Sequence, residues 1–212
     1  MSAALDSLLK DPRVWRGKRA TWTDANSIAS GFADLDAQLP GGGWARGALT
    51  EILLPKPGIG ELRLLLPALA RLSQEKKWIA LIAPPYIPYA PAWQGNGVDI
   101  SRLLWVHPRN SSDQLWAAEQ ALRAGTCGAV LSWPTTSPTF EQLRRLQLAA
   151  ETGRSFGVMF RSVPSATQAS PAAVRVLLEP HAQDLSISFL KRRGAWGGES
   201  VQLQLPLLTV IK

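Results

Sequence analysis

Runs of consecutive apolar residues alternate with stretches in which apolar residues recur every third or fourth position. The runs at 49–54 (LTEILL), 78–83 (WIALIA), 103–106 (LLWV), 129–133 (AVLSW) and 156–161 (FGVMFR) predict buried strands. Between them, 60–72 carries Leu62, Leu65, Leu66 and Leu69 on one helical face, and 112–124 carries Leu115, Ala118 and Leu122. A third helix is predicted over 140–151, ended by Gly153, and a partial helix or loop over 89–97. Strands alternating with helices imply βαβ units and a mostly parallel sheet covered on both faces, an α/β fold.

The rhythm changes after Pro171. The segments 173–178, 185–192 and 201–205 read as three strands with no helix between them, with period-2 alternation in Leu185, Ile187 and Phe189 and in Val201, Leu203 and Leu205. They predict an antiparallel extension on the edge of the sheet. The Pro/Ser/Ala-rich stretch 163–173 reads as a mobile loop. Upstream, Ala33–Gln38 is a short helix stopped by Pro40 and three glycines. Still earlier, Leu5, Leu8 and Leu9 place a small apolar face on a helix over 3–9. This divides the chain into an N-terminal docking arm (1–27), one α/β domain (28–205) and a tail (206–212).

Composition narrows the possible functions. The chain has 212 residues, 46% of them hydrophobic and 18% charged, enough to bury one sizeable core. No run approaches the roughly 18 apolar residues of a membrane span. MSAALDSLLKD is not a secretory leader, so a soluble cytoplasmic protein is expected. The net charge of +7 points toward an anionic partner, DNA among them. The basic residues are dispersed, however, and Lys191, Arg192 and Arg193 form one of several short clusters. Of nine tryptophans, Trp22, Trp44, Trp93 and Trp196 lie in loop contexts, where they would be either interface anchors or loop packing. The single Cys127 reads as a core thiol.

The first core strand runs into LPKPGIGELRL (54–64) and then a helix, the place where a G-x-x-x-x-G-K-[ST] loop holds phosphates and Mg²⁺. Leu54 stands where the first Gly belongs. Gly58 and Gly60 remain, but Glu61 takes the place of the Lys and Leu62 that of the Ser/Thr. The metal-holding Asp that should end a later strand is replaced by Ser132, and APPYIP after 78–83 brings no acid. No ATPase, cofactor or metal is expected. His107 and His181 lie far apart, and nothing else makes a catalytic set.

Several segments resemble a known family. IASGFADLDAQLPGGGWARGALTEI (28–52), the stretch 78–108 and QLWAAEQALRAGTCGAVLSW (114–133) resemble the RecA core in order, and 114–133 with LRRLQLAAETGRSFGVMFRSVPSA (143–166) is similar to SulA. The GGGW segment, the N-terminal arm and FLKRRGAWGG (189–198) fit the ImuA branch of this RecA/SulA-like family better. The resemblance implies a RecA-like P-loop-type sheet without ATP chemistry. It also implies an accessory role in SOS-induced mutagenic translesion synthesis, with RecA, an ImuB-like Y-family polymerase homologue and an error-prone replicative-type polymerase as partners. The alternative it leaves open is a SulA-like inhibitor that binds FtsZ. Leu5, Leu8 and Leu9, the basic trio 191–193, and Gln202, Leu205, Leu207 and Leu208 are the candidate partner-binding residues. The stretch Gln202-Leu203-Gln204-Leu205-Pro206-Leu207 resembles a sliding-clamp-binding peptide, with an ordinary edge strand or a RecA- or ImuB-contacting tail as the other readings.

Overall fold

The computed structural model describes residues 27–181, 184–192, 195–196 and 200–205. The expected arm over 1–26, with Leu5, Leu8 and Leu9, and the residues Arg193, Leu207 and Leu208 lie outside the described residues.

The elements follow the apolar rhythm. Strand β1 (Ser27–Ile28) pairs antiparallel with β2 (Trp44–Ala45), and helix α1 (Ala33–Gln38) lies between them. Then come β3 (Ala48–Leu54), α2 (Glu61–Gln74), β4 (Trp78–Ile82), α3 (Ala90–Gly95) and β5 (Leu103–Val106). They are followed by α4 (Ser111–Arg123), β6 (Cys127–Ser132), α5 (Phe140–Gly153) and β7 (Phe156–Ser162). The chain ends its described course in β8 (Val174–His181), β9 (Asp184–Arg192), β10 (Ala195–Trp196) and β11 (Ser200–Leu203). The main sheet has nine strands, in the order β10-β9-β8-β3-β7-β6-β4-β5, with β11 also on β9. Every residue of β3 from Ala48 to Leu54 is buried, because parallel neighbours flank it and helices cover both faces.

Two apolar layers sandwich the sheet. On one side α2 brings Leu64, Leu65, Ala68, Leu69 and Leu72 against Ile52, Ile79, Leu81 and Leu131. On the other, α4 and α5 bring Ala118, Leu122, Leu143, Leu146 and Ala150 against Leu49, Ala80, Ile82, Val130 and Met159. Local chemistry sets the helix ends. Asn110 accepts the Asp113 N–H at the start of α4, and Thr139 and Gln142 form a reciprocal capping box on α5. Cys127 is buried, and burial pushes its thiol pKa up. The loop tryptophans Trp44 and Trp93 are core residues. Trp44 stacks on Phe156 with ring centroids 5.7 Å apart, and Trp133 stacks on Phe160 at 4.5 Å.

Two expectations change. The first of the three late strands is not part of an antiparallel extension on both sides: β8 runs parallel to β3 and widens the parallel sheet, and the reversal comes only between β8 and β9. Period-2 burial fixes which face a residue occupies, not the direction of the neighbouring strand. The stretch 163–173, expected to be mobile, is also held. It forms a short 3₁₀ turn (Val163–Thr167), and the Arg175 guanidinium donates to the carbonyls of Ser165, Ala166 and Gln168 at 2.8–3.3 Å.

Candidate functional site

The carboxyl ends of β3, β4 and β6 converge at one rim of the sheet, the position at which open α/β sheets place their sites. The loop between β3 and α2 crosses it. Gly58 and Gly60 have φ of +90° and +108°, a region open to glycine and costly for side chains, so the loop turns where other residues would be strained. Its interior is filled by the chain itself. Glu61 is only 4% exposed, and its carboxylate accepts the N–H of Gly58 at 2.8 Å and of Gly60 at 3.1 Å. An internal anion therefore occupies the amides at the helix N-terminus, where its charge also suits the α2 dipole. An entering phosphate would have to displace a buried carboxylate of its own sign.

The surroundings agree. The Leu205 side chain lies over Gly60, near enough that a β-carbon there would sit 3.1 Å from it, and Arg63 donates to the Leu205 carbonyl at 2.7 Å. Leu62, in place of a metal-binding hydroxyl, lines an apolar cleft. Lys56 is exposed on a neighbouring cleft lined by Pro55, Pro57, Trp133 and Phe160. Leu54 is buried at the end of β3. Ser132 is buried at the end of β6, and its hydroxyl has no hydrogen-bond partner among the described residues. Among the described residues no group of three or more His, Cys, Asp and Glu is placed to hold a metal. What this rim offers chemically is apolar contact.

That contact surface is concentrated after β4. Tyr86, Ile87 and Tyr89 are 66%, 77% and 61% exposed, in a segment stiffened by Pro84, Pro85, Pro88 and Pro91. With Leu62, Leu66, Trp93 and Trp133 they enclose a cleft of about 200 Å³. Contiguous exposed apolar surface of this kind marks interaction sites. A second apolar strip lies on β5, which ends the sheet among the described residues and exposes Leu104 and Trp105, with Trp116 of α4 also exposed. The signal that would have found the patch is three large apolar residues alternating with prolines, a pattern that cannot form a buried strand.

The other sequence-derived candidates have structural partners. Lys191 donates to the Ser170 carbonyl at 2.8 Å. Arg192 donates to the Gln38 carbonyl at 3.1 Å and lies over the Phe189 ring. Leu205 is buried, whereas Gln202 is exposed on β11. His107 and His181 are both exposed. Sequence reasoning missed a buried ionic cluster altogether. Glu51 on β3 accepts from Arg161 Nη1 of β7 at 3.0 Å, Arg175 Nε of β8 at 2.7 Å and Ser170 Oγ at 2.8 Å. It joins the central strands and pins the 163–173 loop.

No helix among the described residues is long and apolar enough to cross a membrane. The family model "Cell division inhibitor SulA" matches residues 47–157, more than half of the chain and all of the rim from β3 to β6. A cell division inhibitor SulA of Klebsiella aerogenes is 31% identical over 127 residues, 58% of this chain and 74% of that protein. One from Pectobacterium carotovorum is 30% identical over 117 residues, covering 55% and 70% of the two chains. One from Klebsiella pneumoniae is 29% identical over 137 residues, covering 64% and 80%. On these matches, this chain belongs to the SulA family of cell division inhibitors.

Proposed function

We propose that this chain is a non-catalytic binding protein of the bacterial SOS response that arrests division by binding FtsZ. The observation that carries this reading is the Glu61 carboxylate sitting on the Gly58 and Gly60 amides, within the span matched by the family model. A P-loop-type, RecA-like sheet closed in this way has binding surfaces left and no nucleotide chemistry. The apolar rim of Tyr86, Ile87 and Tyr89 is the contact face, since exposed aromatic anchors supply most of the energy of protein interfaces. Induced expression should filament cells. Ile87→Asp, at a site exposed enough to leave folding intact, should abolish filamentation while soluble protein persists. Filamentation by both proteins alike would exclude this face, and filamentation by neither would exclude the division role.

A second reading is an ImuA-like accessory role in translesion synthesis, with RecA and an ImuB-like Y-family polymerase homologue as partners. It is favoured by the region outside the matched span. Residues of β8, β9 and β11 such as Val176, Leu178, Ile187, Phe189 and Leu203 are core, so the fold is built around more than the span the family model matches. Recovery of RecA and a Y-family protein with this chain from DNA-damaged cells, without FtsZ, would favour this second reading.

A further inference from the structure

We propose that β5 pairs antiparallel with β5 of a second copy of this chain, so that one sheet runs through both molecules. On its inner side β5 is parallel to β4, and the Val106 carbonyl accepts the Ala83 N–H at 2.9 Å. Backbone groups alternate in direction along a strand, so Leu104 and Val106 turn theirs toward β4, while Leu103 and Trp105 present theirs outward. Among the described residues no strand takes up that outer side. Open edges are ordinarily guarded by lysine, proline or a bulge, and Leu103–Val106 carries none of these.

The register selects the occupant. Within the strand, both outward residues are met by a second β5 only when Leu103 stands opposite Trp105 of the second copy and Trp105 opposite its Leu103, with the twofold axis at Leu104. The side chains fit the same axis. Leu103 packs on the α2 side of the sheet and Val106 on the α4 and α5 side, so Trp105 shares the face of Leu103, and Leu104 that of Val106. Each Leu103 then meets the Trp105 ring of the other copy, an aromatic–aliphatic cross-strand pair, and the two Leu104 side chains meet at the axis. Leu104 and Trp105 are 44% and 41% exposed, and pairing covers both. The stretch 103–106 holds no charge, so two copies of a chain with net charge +7 set no like charges opposite each other within it. The nearest cation, Arg102, lies over the Trp78 ring, 5.4 Å from its centroid. The exposed parts of Ile100, Leu104 and Trp105 amount to roughly 250 Å² per copy, against the about 800 Å² per partner of a lasting interface, so the dimer is a reversible one. Tyr86, Ile87 and Tyr89 take no part, so the pairing stands or falls separately from the proposed function.

The test uses the whole chain, with Cys127→Ala removing its single native thiol. Across the axis the two Leu104 positions form a pair without hydrogen bonds, whose α-carbons lie about 4.5 Å apart, within reach of a disulfide. Leu104→Cys is expected to give a linked dimer on mild oxidation. Trp105→Cys, one residue along, is expected to stay unlinked, because its counterpart lies roughly 7 Å further along the opposite strand. In parallel, sedimentation of the unaltered chain over about a hundredfold range of concentration is expected to show its mass rising from monomer to dimer. Leu104→Arg sets two cations against each other and is expected to move that rise to about tenfold higher concentration, with circular dichroism showing the fold intact. Equal linking at 104 and 105 would mean random collision and overturn the proposal. A monomer throughout, or a dimer indifferent to Leu104→Arg, would overturn it as well.

Discussion

Glu61 holds the loop between β3 and α2 in shape. Its buried carboxylate accepts from two loop amides that would otherwise turn to water. Glu61→Ala should leave those donors unmet and cost about 1–3 kcal/mol, read as a lower urea midpoint. An unchanged midpoint would mean that the carboxylate is incidental to the loop. Glu51 makes a stronger demand, because both of its guanidinium partners are almost fully buried. Glu51→Leu should destabilise the fold by about 3–5 kcal/mol by stranding two cations in the interior. Cys127 gives a pH-dependent case. Burial raises its thiol pKa above the ordinary 9.0, so the thiolate is disfavoured in the folded state relative to the unfolded. The stability linked to it is complete below that ordinary value and is lost as the pH rises through the raised one. Iodoacetamide should therefore label the native protein far more slowly than the urea-unfolded protein at pH 8, and equal rates would contradict a buried thiol. A glutamate at position 61, after two loop glycines, was legible in the chain, but its hydrogen bonds were not. The Glu51 cluster was invisible in the sequence, because its partners are more than a hundred positions away and meet only through strand order.

At the scale of elements, most strand and helix positions were legible because each buried face repeats at its own period. Leu103–Val106 is the expected strand, and α2, α4 and α5 begin within a residue of their expected starts. What periodicity cannot carry is strand direction, which is why β8 joined the parallel sheet unexpectedly. It also cannot show that a polar loop is pinned, as the 163–173 segment is by Arg175. The capping box on α5 is a local device with a local test. Thr139→Ala removes the hydroxyl that accepts the Gln142 N–H and should lower stability by about 1 kcal/mol, measured by thermal unfolding. A loss within error would mean that packing of α5 on α4 and β3 dominates its N-terminus. The loop tryptophans illustrate the same limit. Trp44 and Trp93 were as compatible with interface anchoring as with packing, and burial decided for packing.

For the whole molecule, the architecture separates scaffold from contact surface. The six strands β8, β3, β7, β6, β4 and β5 run parallel and form a rigid platform. The rim that in a nucleotide enzyme would hold phosphate is closed from within by Glu61 and from above by Leu205. Beside it lies the exposed apolar surface of Tyr86, Ile87 and Tyr89, the contact face in the proposed function. Glu61, Leu62 and Ser132 could be read from individual positions. The exposed apolar face was written in no motif, because exposure follows from the fold. The most direct measurement is sedimentation of purified FtsZ polymers with increasing amounts of this protein and of its Ile87→Asp variant. The account predicts that the protein lowers the pelleted FtsZ in proportion to its concentration and that the variant does not. Undiminished FtsZ pellets at a molar excess of folded protein would contradict the division-arrest reading.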